Sequence, residues 1–178
     1  GVASPEVVAQ SFQFPSMAYK ELVSAVRLEA EHAILNGHTL DKMVLDWRLL
    51  DQDPAAGEGF RGILALVPQE TLSVHLKTVQ DAGLDPMIVD VKSLALWNAY
   101  WMLLGKKEPL SETILLIHLD AHMTHFIVVR GRETLIFARD VRVGTADSRD
   151  VWFSELNDSL LYAQSKKGLR SVDKVYMT

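Results

Sequence analysis

The stretch TILLIHLDAHMTHFIVVRGRETLIFARDVRV, residues 113–143, decides how the second half of the chain folds. Its apolar residues fall into three runs, Thr113–Leu119, Thr124–Arg130 and Glu133–Val143. Short runs rich in Ile, Val, Leu and Phe are typical of β-strands, and Gly131 between two arginines is a hairpin signal. The stretch therefore predicts a meander of three strands joined by short connections.

The residues after the meander predict a helix and a returning strand. Residues 149–166 carry apolar side chains at helical spacing, Ser148 precedes them as a capping residue, and Gly168 ends the segment. Val172–Met177 then predicts a final strand. A three-stranded meander followed by a helix and a strand that returns to the sheet resembles the core of the ribonuclease H-like fold, which actin-like ATPases use twice.

The first half of the chain predicts a small α+β module. Its apolar residues change between strand and helix periodicity several times, with Gly and Pro at the breaks. The expected elements are a strand at 7–14, a helix from an N-cap at Ser16 to Asn36–Gly37, strands at 43–50 and 60–67, a helix that stops at Gly83, a strand at 87–91 and a helix from Ser93 to Gly105. Residues 106–111 are the expected boundary between the two halves.

Composition and charge exclude several classes of protein. The chain has 178 residues, the length of one domain or two small ones, and it has no cysteine, which excludes a disulfide scaffold and a thiol nucleophile. Its net charge of −5 disfavours general nucleic-acid binding. Residues 1–89 carry 6 basic and 12 acidic side chains, whereas residues 90–178 carry 12 and 11. This asymmetry predicts two units with different surfaces.

The densest cluster of candidate chemical groups runs from His118 to His125. On a strand, His118, Asp120 and His122 would share one face because side chains alternate, and three nitrogen and oxygen ligands on one face suit zinc or manganese. One hypothesis is therefore a metal-dependent hydrolase built on these three residues. The favoured alternative is that they are polar residues at a strand end and a turn, with no metal. The Gly57-Glu58-Gly59 sequence lacks the strand-to-helix setting of a phosphate loop and predicts a plain turn.

Several phrases, in order along the whole chain, resemble the PilM family of type IV pilus assembly proteins. This family is related to the cell-division protein FtsA and to the cytoplasmic part of the type II secretion protein GspL. The phrases are Phe14-Pro15-Ser16-Met17, Leu45-Asp46-Trp47-Arg48-Leu49-Leu50, Ala82-Gly83-Leu84-Asp85-Pro86, Val89-Asp90-Val91, Ala95-Leu96-Trp97-Asn98-Ala99, Ser159-Leu160-Leu161-Tyr162 and Val172 to Thr178. The resemblance implies a mixed α+β and α/β chain, namely part of an actin-like, ribonuclease H-like fold. Residues 1–108 would be the inserted small α+β subdomain with its linking helix, and residues 109–178 a partial actin-like subdomain.

The resemblance also implies where a nucleotide site would have been. In the family an Asp-x-Gly strand end followed by a threonine approaches the phosphates of ATP and its Mg²⁺. The matching positions here are His118, Asp120 and Thr124, so the acid is replaced by histidine and the glycine by aspartate. An aspartate side chain would crowd and repel a phosphate. We therefore expect a remnant of a nucleotide site with no bound cofactor and no catalytic residue, in a chain that is a fragment or a degenerate relative.

The function implied by the resemblance is that of a scaffold. The chain would be a cytoplasmic interaction component, peripheral to the bacterial inner membrane, of a type IV pilus or type II secretion assembly platform. Its expected partner is PilN-like or another inner-membrane platform protein, which the family binds through a short cytoplasmic peptide. Two alternatives stay open: the metal-dependent hydrolase, and an actin-like ATPase of which this chain is only a part.

Overall fold

The computed structural model describes residues 1–34, 37–50, 59–104, 109, 111–131 and 134–178, without the side chains of residues 166 and 167. These residues divide into two compact units. The N-terminal unit comprises Val2 and Glu6–Asp90, and the C-terminal unit comprises Gly1, Ala3–Pro5 and Val91–Thr178. The turn predicted before Gly59 and four of the six residues of the predicted boundary, 106–108 and 110, lie outside the described residues.

The N-terminal unit is an antiparallel sheet with two helices. Strand β3 lies in the middle, paired with β1 on one side and β2 on the other. The elements are β1 Val8–Phe14, α1 Tyr19–Ala33, a single 3-10 turn Leu40–Lys42, β2 Met43–Leu49, β3 Phe60–Pro68 and α2 Gln69–Asp81. The α+β module predicted from the first half is confirmed, with strand bounds within one or two residues of those expected.

The core of the N-terminal unit lies between α1 and this sheet. Leu22, Val26 and Ala30 recur at helical spacing on α1 and are completely buried. They pack in one cluster with Leu64 and Leu66, which lie two residues apart on β3 and so share a face. The apolar pattern of the sequence is therefore sufficient to say which face of each element turns inward.

The start of α1 differs from the prediction. The N-cap is Ala18, whose backbone is extended, and not Ser16. The Glu21 carboxylate accepts a hydrogen bond from the Ala18 N–H at 3.0 Å, so the helix begins with the acidic half of a capping box. A carboxylate three residues into the helix therefore replaces the serine hydroxyl that we expected at its start.

The strand predicted at residues 87–91 is also absent. The Val2 N–H donates to the Asp90 carbonyl at 2.8 Å, but residues 84–90 form no strand within the described chain. Met87 and Ile88 are 84% and 88% exposed. An apolar run becomes a strand only where a neighbouring strand takes up its backbone hydrogen bonds along its length, and in the described residues the contact with Val2 is an isolated bridge at the end of this run.

The C-terminal unit has a four-stranded mixed sheet in the order β6–β5–β4–β7. Strands β4, β5 and β6 form an antiparallel meander, and β7 returns beside β4 and parallel to it. The elements are α3 Lys92–Leu103, β4 Thr113–Leu119, β5 Thr124–Arg130, β6 Thr134–Val141, α4 Arg149–Lys167 and β7 Lys174–Met177. This is the meander, helix and returning strand of the ribonuclease H-like core, as predicted.

Both faces of this sheet are covered. Helix α4 packs through Trp152, Leu156 and Leu160 on the face that carries Leu115 and Ile117. Helix α3 packs on β5 and β6. Strands β4 and β5 are consequently buried along most of their length, which fits their nearly continuous apolar runs.

The ends of α4 follow the prediction, whereas α3 begins differently. The Ser148 hydroxyl accepts from the Val151 N–H at 3.4 Å, and Gly168 ends α4 with a left-handed φ of 68°. In α3 the N-cap is Val91, and Ser93 is a buried residue inside the helix. Trp97 and Tyr100 of α3 are buried, each 6% exposed.

The division between the units falls at Asp90–Val91. The boundary predicted from the resemblance lies between residues 108 and 109, with the linking helix in the first half. In the structure that helix is α3, and it belongs to the C-terminal unit. The assignment of residues 1–108 to an inserted subdomain stays a prediction. Across the described residues, no helix is both long and apolar enough to span a membrane.

Candidate functional site

Three strands of the C-terminal unit bring a row of titratable side chains together. His118 on β4 lies directly opposite His125 on β5, and His125 lies directly opposite Asp140 on β6. Residues opposite each other on neighbouring strands share a face and touch. The two imidazole rings accordingly stack, with their centroids 5.6 Å apart and their planes 29° apart.

The two inner residues of the row, His125 and Asp140, form a buried hydrogen-bonded pair. His125 is completely buried and Asp140 is 4% exposed, and the His125 Nδ1 lies 2.6 Å from the Asp140 Oδ1. The other imidazole nitrogen, His125 Nε2, and the Asp140 Oδ2 are buried without a hydrogen-bond partner among the described residues. Buried polar atoms without partners are rare in proteins and need an explanation.

The outer part of the row converges on Asp120. Its Oδ2 accepts a hydrogen bond from the Lys92 ammonium at the start of α3. Its Oδ1 lies 3.2 Å from the His118 Nε2, and its Oδ2 lies 3.6 Å from the His125 Nε2. The hydrogen bond from Lys92 is the largest of the effects that lower the pKa of Asp120 below its ordinary value. Asp120 is therefore a carboxylate at neutral pH, with side-chain nitrogens of Lys92, His118 and His125 around it.

The backbone of Asp120 is fixed as firmly as its side chain. Its N–H donates to the Met123 carbonyl at 2.8 Å, which closes the turn between β4 and β5. Its carbonyl accepts from the Thr145 N–H at 2.9 Å, so the loop after β6 lies against this turn. A Cβ on Gly144 would lie 2.4 Å from the Asp120 carbonyl oxygen, which shows how closely the two backbones approach.

Thr124 has its hydroxyl fully engaged inside the protein. The residue is completely buried, and its hydroxyl donates to the Val143 carbonyl at 2.6 Å. The same oxygen accepts from the indole N–H of Trp152 on α4 at 3.0 Å. In this arrangement Thr124 ties β5 to the loop after β6 and to α4.

The trio suggested for a metal site does not come together. Within the part of the chain that the structure describes, no three His, Asp or Glu side chains are grouped so as to hold a metal ion, and His118, Asp120 and His122 are no exception. His122 lies exposed in the turn, outside β4, because the strand ends at Leu119. The alternation that was expected to align the three residues therefore stops before it reaches His122.

Comparison with known proteins identifies the family. A family model described as "Type IV pilus assembly protein PilM" matches residues 2–178. The chain belongs to the PilM family. No curated protein sequence matches it.

A solved structure is similar to the chain in both sequence and fold. The chain is similar to a structure titled "PilM-PilN type IV pilus biogenesis complex", with 27% identity and a TM-score of 0.63, over 89% of this chain and 46% of that one. The chain thus spans about half the length of this PilM relative.

Two weaker similarities were also found. A Bacteroides thetaiotaomicron protein with an actin-like ATPase fold is 11% identical, with a TM-score of 0.46, over 95% of this chain and 56% of that one. The cytoplasmic domain of EpsL, an inner-membrane component of the type II secretion system of Vibrio cholerae, is 13% identical, with a TM-score of 0.49, over 97% of this chain and 61% of that one.

The three residues predicted as the remnant of a nucleotide site lie at one end of the β4–β5 hairpin. His118 is the penultimate residue of β4, Asp120 opens the turn and Thr124 begins β5. Lys92 and Asp140 were not predicted from the sequence, and His125 was predicted as the last residue of the His118–His125 cluster without a role in the site. The positions of His125 and Asp140 follow from the strand register, which turns residues distant in sequence into neighbours. Lys92 lies 28 residues before Asp120, and no local pattern could have joined them.

Proposed function

We propose that this chain is a scaffold component of a type IV pilus or related type II secretion assembly platform, located in the cytoplasm at the inner membrane. The observation that carries the proposal is the PilM family match over residues 2–178. The 27% identity to the PilM of a PilM–PilN complex supports it and makes a PilN-like protein the proposed partner.

We further propose that the chain does not hydrolyse ATP and that His118, Asp120 and Thr124 are the remnant of a nucleotide site. Two features of the C-terminal unit support this. Asp120 places a negative charge at the turn where the family brings its phosphates, and its position is fixed by Lys92. The Thr124 hydroxyl already makes two internal hydrogen bonds, so a phosphate would have to displace Val143 or Trp152 from it.

The partner is tested by titrating the chain with a fluorescent peptide that covers the cytoplasmic N-terminus of a PilN-like protein. A peptide of the same composition in scrambled order is the matched control. The proposal expects saturable binding of the native order at least about tenfold tighter than the scrambled one. Equal binding of the two peptides, or failure of the chain to co-purify with the co-expressed full-length partner, would contradict it.

The absence of nucleotide chemistry is tested separately by calorimetry with ATP and Mg²⁺ and by phosphate release. The proposal expects neither heat of binding nor turnover above buffer. Saturable ATP binding would favour the alternative that the chain is part of an actin-like ATPase. Stoichiometric zinc or manganese in the purified protein, lost in a His118→Ala variant, would favour the metal-dependent hydrolase.

A further inference from the structure

Strand β2 lies at one edge of the sheet in the N-terminal unit. Among the described residues it pairs only with β3, so no strand of that part of the chain covers its outer side. An open edge presents backbone N–H and C=O groups to which an extended segment can add as a further strand. The outer edge of β2 therefore has the geometry of a docking strand.

The register of β2 on β3 determines which of its backbone groups face outward. The Leu50 N–H donates to the Arg61 carbonyl at 2.9 Å, and hydrogen-bonded pairs recur at every second position of an antiparallel ladder. Residues 44, 46 and 48 therefore bond to β3, whereas residues 43, 45, 47 and 49 direct their N–H and C=O groups outward. Pro68, which has no N–H to donate, lies opposite Met43 and fits this assignment.

One of the outward N–H groups is occupied by the side chain next to it. The Trp47 N–H donates to the Asp46 Oδ1 at 2.8 Å, and Asp46 is exposed. An added strand would bond this N–H with a carbonyl of its own and so release the Asp46 carboxylate. A lysine or arginine opposite Asp46 would then pair with the released charge, because side chains opposite each other on neighbouring strands touch.

The other face of the same edge is apolar. Leu45, Trp47 and Leu49 are half-buried and pack against the core beneath α1. The Trp47 ring lies beside Tyr19, with ring centroids 6.5 Å apart, and Tyr19 is 70% exposed. Apolar side chains of an added strand would cover this row. The N-terminal unit also carries 6 basic and 13 acidic side chains, which favours a segment that brings a cation.

We propose that the outer edge of β2 is a docking strand for an extended segment of a partner protein. The side chains of this segment alternate between apolar and charged, and a lysine or arginine lies opposite Asp46. The Asp46 carboxylate occupies the Trp47 N–H until that cation draws it away. The proposal goes beyond the scaffold role proposed above, because it assigns a binding surface whatever assembly platform the chain serves.

The test is an NMR titration of the chain with a seven-residue peptide whose ends are blocked. Its order is valine, glutamate, valine, lysine, valine, threonine, valine. Added antiparallel along Met43–Leu49, the peptide places its lysine opposite Asp46 and its glutamate opposite Arg48. Binding should slow amide hydrogen exchange at residues 45, 47 and 49, whose N–H groups face outward. Exchange at residues 44, 46 and 48 should not change, because these N–H groups already bond to β3.

Two methylated peptides test whether the segment binds as a strand. Methylation of the backbone nitrogen of the second valine removes the N–H that would bond to β2 opposite Trp47, so binding should weaken at least about tenfold. The matched control carries the methyl group on the nitrogen of the neighbouring lysine. That N–H points away from β2, so the affinity should stay within about twofold of the parent peptide.

The role of Asp46 is tested with a peptide in which glutamine replaces lysine. Wild type should prefer the lysine peptide about threefold, the effect of one exposed ion pair. Asp46→Ala should lose this preference. The matched control, Asp85→Ala, removes another exposed carboxylate of the same unit and should keep it.

Each outcome decides a different part of the proposal. Absence of binding, equal effects of the two methyl groups, or protection confined to other residues overturns the docking strand and leaves β2 as an edge that its charges protect. A preference for lysine that survives Asp46→Ala overturns the role of Asp46. None of these results bears on the scaffold role, which co-purification with the full-length partner tests.

Discussion

At the residue scale, Asp120 is an ionised group whose charge is matched inside the protein. Lys92 donates to it, and His118 and His125 add favourable Coulomb interactions. Each of these effects favours the carboxylate over the neutral acid, and together they outweigh the burial that acts in the opposite direction. The side chain thus links α3 to the turn between β4 and β5 through its charge.

This linkage predicts a pH dependence of stability. Because the folded-state pKa of Asp120 is lowered from 3.8, its contribution is fully present above that value and is lost as the pH falls below it. The free energy of unfolding should therefore differ most between wild type and Asp120→Asn at pH 6, and the difference should shrink steadily as the pH falls below 3.8. Urea unfolding over a series of pH values measures this, and a difference that is the same at every pH would mean that the amide disrupts packing rather than charge.

The His125–Asp140 pair predicts strong non-additivity. Removal of either partner would leave the other as a buried polar group without its hydrogen bond. Asp140→Ala and His125→Ala should therefore each lower the free energy of unfolding by about 3–5 kcal/mol. The double variant should lose much less than the sum, because it leaves neither group behind. A double-mutant cycle by urea unfolding measures the coupling, and additive losses would show that the two side chains do not stabilise each other.

At the element scale, the loop that follows β6 determines how the β4–β5 turn is held. The N–H groups of Thr145 and Ala146 donate to the carbonyls of Asp120 and Ala121 at 2.9 and 3.0 Å. Gly144 makes these bonds possible because its missing side chain lets the two backbones meet. The close approach, rather than any unusual backbone angle, is what requires glycine there.

Gly144→Ala should therefore cost about 1–3 kcal/mol of stability, since its Cβ would overlap backbone atoms of Ala121 and Asp120. Gly168→Ala is the matched control: it lies in open space at a φ of 68° and should cost about 1–2 kcal/mol by conformation alone. Amide hydrogen exchange separates the two causes. Only Gly144→Ala should accelerate exchange at Thr145 and Ala146, and equal protection in both variants would refute the steric explanation.

Sequence predicts the ends of α4 better than those of α1. Ser148 and Gly168 bound α4 as expected, and few residues other than glycine adopt the left-handed conformation cheaply. The start of α1 was wrong by two residues, since both a serine hydroxyl and a glutamate carboxylate can satisfy the first N–H groups. Its predicted end at Asn36–Gly37 was also wrong, because the helix stops at Ala33 and the extended Ile34 follows.

At the scale of the whole molecule, charge is divided between the units. The N-terminal unit carries 6 basic and 13 acidic side chains, a net charge of −7. The C-terminal unit carries 12 basic and 10 acidic side chains, a net charge of +2. Such an asymmetry favours a basic partner segment on the N-terminal unit.

The charge asymmetry predicts a salt-dependent interaction. Affinity for a basic segment of the proposed partner should fall steadily as salt rises, because exposed charges are screened over a Debye length of about 8 Å at physiological ionic strength. Fluorescence anisotropy at a series of salt concentrations measures it, with a neutral variant of the peptide as the control. An affinity that does not change with salt would indicate that apolar contacts carry the binding.

The sequence by itself determined the order and type of most elements. Apolar runs of strand length predicted the meander, and apolar residues at helical spacing predicted α4. The same signals, separated by glycine and proline, predicted the module of the N-terminal unit. They work because an element that buries one face must repeat its apolar residues with the period of a strand or a helix. Motif resemblance located His118, Asp120 and Thr124 at a strand end and turn. The strand at 87–91 was wrong because strand formation depends on a neighbour as well as on composition.

Only the tertiary structure decided what surrounds Asp120. Strand register set His125 between His118 and Asp140, and the packing of α3 brought Lys92 across 28 residues of sequence. The same packing left His122 outside the cluster. A sequence pattern specifies which residues can share a face of one element. Side chains from α3, β4, β5 and β6 converge only through the packing of those elements, because the residues that meet have no fixed spacing along the chain.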